Sequence, residues 1–368
     1  MGSSFNEFFP DLTDLFPFPE RPLQPDQWKD GLLVRSPNWL GDAVMTFPAL
    51  RQMRLALPGS AKLAVVCPGG LAPLFRSLDC VDLVIGLRDA HAFPRRDESD
   101  LIRSFHAGAA LLFTNSFRDA LIFKMCGIPK LRGTPARFRS FLMDQTFSFP
   151  PRKDRVLNRP HQAVKYLAMT RSFKAPEWDG VMPGIATDAE PGAAAGQILS
   201  KTGPLLLMAP GAAYGDAKRW AASDFRETAK WWTDRGGLTV SLGAAKELDA
   251  AREAVSGLPE DRAFCLAGET SLTDLIHLFR RADFCLANDS GLMHLAAAAG
   301  LPGIAVFGST DPAATSPLSP MWSVLYRKQE CAPCFRRICP DGTRKCLKAV
   351  TPELVKETLR VRCERLFA

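Results

Sequence analysis

Asn288-Asp289-Ser290-Gly291-Leu292-Met293-His294 is the stretch on which the reading of this chain turns. A largely apolar run, 283–287, leads into it, and the alanines 296–299 follow it. A β-strand, a sharp polar turn and a tightly packed helix account for that order. Asp289, Ser290 and Gly291 then sit where the first helical N–H groups lack a partner within the helix. Free donors and the helix dipole point the same way there, so such an end holds anions. His294 lies four residues after Ser290, one turn on and over the same face. Helical side chains lean toward the N-terminus, so His294 can reach back to a phosphate. A capping Asp or Ser with a core histidine would leave the same pattern without any ligand.

Outward from this stretch, strands alternate with helices. Further strands are expected at 205–208, 238–242, 264–268 and 304–307, with helices after 243 and at 271–281. Pro210-Gly211-Ala212-Ala213-Tyr214-Gly215 makes a flexible turn, and Lys218, Arg219 and Trp220 follow it closely. Small residues let backbone approach a ligand, and two cations can neutralise a diphosphate. The loop 243–249 offers Glu247 and Asp249 for ribose hydroxyls. The first half repeats the alternation, with strands at 32–34, 63–67, 83–87 and 109–113 and helices at 42–57, 71–78, 97–105 and 116–126. Such spacing predicts α/β halves, each a doubly wound parallel sheet with helices on both faces. Ligands of these sheets sit beyond the carboxyl ends of the strands, where the loops 210–219, 243–249 and 288–294 lie. The expected division is an extension (1–30), a first Rossmann-like domain (31–185), a linker (186–203), a second Rossmann-like domain (204–330) and a cysteine-rich tail with a C-terminal helix (331–368).

A length of 368 residues, 46% hydrophobic, suits two domains of ordinary size. The net charge of +7 favours an anionic partner. No apolar run is long enough to span a bilayer, and the first thirty residues do not form a signal peptide, so a cytoplasmic location is expected. Between Lys124 and Lys174 there are twelve Lys or Arg against two acids, Asp144 and Asp154, a balance of +10. Arg137, Arg139, Arg152, Lys153 and Arg155 form its least interrupted group. This is either a solvated face or a surface for an anionic acceptor or membrane. Cys331, Cys334, Cys339 and Cys346 stand in a compact run whose first pair has metal-knuckle spacing. Four thiolates admit a structural zinc, an iron–sulfur cluster or a set of unligated thiols.

The combined motifs resemble glycosyltransferase family nine and, more narrowly, its ADP-heptose:lipopolysaccharide heptosyltransferases of type II. The resemblance rests on 210–220, on Leu266-Ala267-Gly268-Glu269-Thr270, on 288–294, on Trp39-Leu40-Gly41-Asp42 and on Thr114-Asn115-Ser116-Phe117. It covers roughly residues 31–325, in order. It implies a GT-B architecture, two Rossmann-like domains facing a cleft, with the acceptor side N-terminal and the nucleotide-sugar side C-terminal. Carried over by position, Asp42 matches the catalytic base, and Lys218 matches the lysine on the donor diphosphate. Asp289, Ser290, Gly291 and His294 match the phosphate loop. Glu247 or Asp249 matches the ribose contact. Asn38, Trp39, Asn115 and Ser116 fall on the acceptor side. The implied reaction is inverting transfer of heptose from ADP-heptose to a lipid A–core acceptor at the inner face of the cytoplasmic membrane. No cofactor is required for it. The extension before Gly31, the loop 35–38 and the segment 307–312 depart from the family pattern.

Other classes make different demands. A dinucleotide oxidoreductase needs Gly-x-Gly-x-x-Gly after a first strand, which neither half has. A nucleic-acid binder could use the basic segment and the cysteine knuckle, but would interleave exposed aromatics with them. No nucleic-acid partner is therefore expected. A family member using another nucleotide sugar remains open, and the sequence does not fix the oligomeric state.

Overall fold

The structure, a computed structural model, describes Leu23, Gln27, residues 31–149 and residues 160–367. The rest of the expected extension lies outside the described residues, as do Arg152, Lys153 and Arg155. The chain divides into two compact units, with the second beginning at Thr187.

The first unit holds six parallel strands: β1 (Gly31–Arg35), β2 (Lys62–Pro68), β3 (Leu83–Leu87), β4 (Ala109–Leu112), β5 (Lys130–Gly133) and β6 (Gln145–Thr146). Their order across the sheet is β3-β2-β1-β4-β5-β6. β1 and β4 are buried along their whole length, which is why they read as near-continuous apolar runs. The second unit holds β7 (Leu205–Ala209), β8 (Leu238–Ser241), β9 (Ala263–Cys265), β10 (Phe284–Asn288), β11 (Gly303–Val306) and β12 (Trp322–Leu325). Their order is β12-β11-β10-β7-β8-β9. Counted from the first strand of each unit, both sheets have the same doubly wound order. The winding reverses between β1 and β4, and again between β7 and β10. The expectation of two Rossmann-like halves holds.

The structure corrects several boundaries. The expected helix 42–57 is two helices, Leu40–Val44 and Phe47–Ala56. Pro48 has no N–H to give and its ring opposes the carbonyl four residues back, so a new helix starts with it in the first turn. β5, β6 and β12 were not expected. β5 carries Lys130 and Arg132 among its four residues, and β6 is two residues long. The supposed linker 186–203 contains the helix Ala193–Leu199, which packs on the helix Leu272–Arg281. Asp274 Oδ1 accepts the Gly192 N–H at 2.7 Å across that contact.

The cysteine-rich tail is part of the second unit's core. Ala332, Cys346, Leu347, Val350, Val355, Leu359 and Cys363 share one apolar cluster with Trp220, Phe225 and Trp232. The indole N–H of Trp220 donates to the Val350 carbonyl at 2.7 Å. The helix Pro352–Cys363 lies on the helix Ala222–Thr233, where Lys356 pairs with Glu227 at 2.5 Å. Each fully buried large side chain contributes about 1.5–3 kcal/mol, so this docking is firm.

Candidate functional site

In the second unit the loops after β7 and β10 leave the sheet side by side, at its switch point. Asn288 ends β10 and is fully buried. Its Oδ1 accepts the Trp220 N–H at 3.0 Å, and its Nδ2 donates to the Pro210 carbonyl at 2.7 Å. One side chain therefore clamps both ends of the loop 210–220. Lys218 Nζ reaches Asp289 Oδ2 at 2.5 Å, and Thr310 Oγ1 donates to the same carboxylate at 2.6 Å. Asp289 is buried and holds the lysine. Its carboxylate, shared between Lys218 and Thr310, fixes the position of the Lys218 ammonium. Arg219, the second cation of the sequence reading, is committed to Asp216 of its own turn at 2.9 Å.

Ser290 stands at the N-cap of the helix Gly291–Ala298, yet its hydroxyl caps nothing. Its Oγ is buried and has no hydrogen-bond partner in the structure. An orphaned hydroxyl beside unpaired N–H groups and a lysine is the donor set of an anion site. His294 is buried one turn further on, and its N–H points to the Ser290 carbonyl at 3.4 Å. Glu247 Oε2 accepts the Ala244 N–H at 2.9 Å and so shapes its own turn. A Cβ at Gly211 would lie 2.3 Å from the Glu247 carboxyl carbon, so the glycine lets these two loops meet. Asp249 is exposed at the start of the helix Leu248–Glu253.

The tail forms a wall of the same region. Tyr214 Oη donates to the Phe335 carbonyl at 2.9 Å, and the Ala217 N–H donates to the Arg337 carbonyl at 3.1 Å. The Phe335 N–H donates to Ser309 O at 2.7 Å. Gly215, at φ +150°, has no room for a side chain, because a Cβ would lie 2.3 Å from the Arg337 oxygen. Sequence reasoning gave this segment no part in the site.

The four tail thiols approach one another. Burial raises the pKa of Cys346, and the nearby Cys331, Cys334 and Cys339 raise it further. The Cys339 thiol, however, donates to Asp341 Oδ1 at 3.1 Å, and this bond is the main cause that holds that carboxyl down at about 2. No group of three or more His, Cys, Asp or Glu is arranged to hold a metal ion among the described residues.

In the first unit, one network joins three of the four expected acceptor residues, Asn38, Asn115 and Ser116, through the buried side chains of Arg35, Asp119 and Arg139. Arg35, at the end of β1, donates to Asn38 Oδ1 at 2.8 Å and lies 3.3 Å from Asp119 Oδ2. Burial lowers the Arg35 pKa, and the Asp119 carboxylate opposes that. Ser116 caps the helix Phe117–Met125 by accepting the Asp119 N–H at 3.2 Å. Arg139 donates to the Ser116 carbonyl and to Thr134 Oγ1, both at 3.0 Å, and Thr134 Oγ1 donates to Asn115 Oδ1 at 2.6 Å. Arg139 was counted with the surface cations. It is fully buried, and burial takes its pKa down to about 10.

Asp42 is the third residue of the helix Leu40–Val44, and Trp39 occupies the N-cap. Asp42 is half-buried in the first turn and is not the cap. Trp39 is exposed, and so are Phe138 (92%) and Phe141 (76%). Phe141 packs against Phe117 with ring centroids 6.1 Å apart. Arg137 and Phe138 take φ of 54° and 60°, left-handed values that cost about 1–2 kcal/mol each for residues other than glycine. No helix among the described residues is long and apolar enough to cross a membrane.

Known proteins share this organisation. The family profile of glycosyltransferase family 9 (heptosyltransferase) matches residues 100–344. Lipopolysaccharide heptosyltransferase 2 of Escherichia coli is 29% identical over 346 residues, which span 89% of this chain and 97% of that protein. Lipooligosaccharide heptosyltransferase 2 of Haemophilus influenzae is 27% identical over 345 residues, 89% of this chain and 98% of that protein. The solved structure of E. coli ADP-heptose lps heptosyltransferase II superposes with a TM-score of 0.74 at 27% identity, over 92% of this chain and 99% of that one.

Proposed function

The chain belongs to glycosyltransferase family 9, and from that membership we propose that it moves heptose from ADP-heptose to the inner core of lipopolysaccharide, with inversion. The observation that carries this reading is the second unit's switch point, where Lys218 is held by Asp289 beside the orphaned hydroxyl of Ser290 at a helix N-terminus. That set suits a diphosphate. Lys218 and the N–H groups from Gly291 onward offset the charge that grows on ADP as the glycosidic bond breaks. Ser290 and His294 complete the phosphate contact, and Glu247 takes the ribose.

Asp42 accepts the proton of the acceptor hydroxyl as that oxygen attacks the anomeric carbon. The transition state resembles an oxocarbenium ion, as in glycoside hydrolysis. Asn38, Trp39, Asn115 and Ser116 bind the acceptor, on the frame set by Arg35, Asp119 and Arg139. The acceptor is anchored in lipid, and the enzyme works at the cytoplasmic face of the membrane as a peripheral protein. Exposed Phe138 and Phe141 with Arg137 supply the aromatic and cationic side chains that suit an anionic interface.

The test offers ADP-heptose, other nucleotide sugars and heptose-deficient lipopolysaccharide, and reads products by mass. A gain of one heptose with release of ADP is expected. Transfer from a different nucleotide sugar, with ADP-heptose inert, would replace the donor.

A further inference from the structure

We propose that Arg337, carried on the cysteine-rich tail, is a further cation of the donor diphosphate site and reads the second phosphate of a nucleoside diphosphate. The proposal rests on the donor assignment above. Three observations converge on it. The backbone at 335–337 is fixed to the donor loop by the Tyr214–Phe335 and Ala217–Arg337 hydrogen bonds, at 2.9 and 3.1 Å. The absent side chain at Gly215 lets the Arg337 carbonyl come this close. Its guanidinium lies 5.2 Å from the centre of the Tyr214 ring, and Lys218 Nζ lies 5.0 Å from the same centre.

Lys218 and Arg337 both lie against the Tyr214 ring, so an anion held at that ring would gain from both charges. The neighbouring cations are already paired, Lys218 with Asp289 and Arg219 with Asp216. Arg337 makes no ion pair with any described residue, and its side chain is exposed. A planar guanidinium with unused donors is suited to bidentate contact with a phosphate. The sequence separation hides the relation, because the tail reaches the donor loop only through tertiary packing.

The experiment titrates ADP and AMP by calorimetry into the wild-type chain, Arg337→Ala, Arg337→Lys and Lys218→Ala. The alanine variant keeps the backbone contacts at 337, so its fold should persist, and far-UV circular dichroism checks this. ADP affinity should fall about tenfold in Arg337→Ala, the usual size of a lost charge-assisted hydrogen bond. AMP affinity should stay unchanged, and lysine should restore part of the loss. The salt dependence of ADP binding should also flatten in the alanine variant. Equal ADP affinity in Arg337→Ala and wild type, with Lys218→Ala weakened, would overturn the role of Arg337. A wild-type chain that binds no ADP would sink the donor assignment itself.

Discussion

The two units wind their sheets in the same order, yet the loops at the two switch points are built on opposite plans. In the second unit the polar groups close on one another: Lys218 on Asp289, Asn288 on both ends of the loop 210–220, and the tail against Tyr214. In the first unit the polar groups are withdrawn into a frame, Arg35–Asp119 and Arg139–Ser116, and aromatic rings stand outside it. A nucleoside diphosphate is small and of fixed shape, so a pre-organised cradle serves it. A lipid-anchored oligosaccharide is large and arrives from a surface, so a rigid frame with exposed rings serves it better. Under the proposed function, one topology would meet two kinds of ligand through its loops alone.

The sharpest break in the comparison is chemical. Asp42→Asn keeps size and hydrogen bonding but cannot take a proton. Turnover should fall by about two to four orders of magnitude, the usual worth of a general base. ADP affinity should not move, because the proposed donor cradle is built from the second unit's loops. Steady-state rates and calorimetry together decide it, and near-normal turnover would remove Asp42 from the mechanism.

Asn288→Ala attacks the donor plan at its clamp. It leaves the Trp220 N–H and the Pro210 carbonyl buried without partners, which costs about 1–3 kcal/mol of stability. Denaturant unfolding should show that loss, and ADP affinity should weaken with it while the acceptor Michaelis constant holds. A variant of full stability would mean the loop is held by other contacts.

Phe138→Ser together with Phe141→Ser attacks the acceptor plan. Sedimentation with anionic vesicles should show partition about tenfold weaker, since aromatic and basic groups together drive interfacial binding. ADP binding should be unaffected. Unchanged partition would leave the rings without a membrane role.

The effect that is smallest per group should be shared by both units. Burial pushes Cys67 and Cys80 in the first unit and Cys363 in the second up to about 12. In the unfolded chain these thiols ionise near 9. The folded state keeps their protons after the unfolded state has lost them. Stability is therefore intact below about pH 9 and declines toward pH 12, by about 1 kcal/mol per thiol at pH 10. Thermal melts at pH 8 and pH 10 measure it. Cysteine-to-serine or cysteine-to-alanine variants that lose as much on the same change would assign the decline elsewhere.

Much of the fold is legible in the sequence because its central strands are buried on both faces. Leu205–Ala209 and Gly31–Arg35 are nearly continuous apolar runs, and the turns after them carry glycine or proline. The motif 288–294 is legible for a related reason, since a polar turn between an apolar strand and an alanine-rich helix admits few geometries. What remains hidden depends on distant partners. The pairing of Asp289 with Lys218, 71 residues away, leaves no trace in the local pattern. Arg139 reads as a surface charge because most charges in such runs are solvated. Its burial depends on Thr134 and on Ser116, 23 residues before it. The tail reads as a separate module because no local pattern announces that Phe335 will meet Tyr214, 121 residues upstream.

The bond between Trp220 and Val350 also sets a schedule for synthesis. The indole N–H must wait for 130 further residues before its acceptor exists. At ordinary rates of translation that interval is on the order of ten seconds. Throughout it, the large rings of Trp220, Phe225 and Trp232 lack the tail that covers them. The nascent second unit thus carries an uncovered aromatic surface, while the first unit, already released, can fold. Chaperone dependence should therefore fall on the growing second unit, and a ribosome stalled before Val350 should hold a first unit that folds and a second that cannot close.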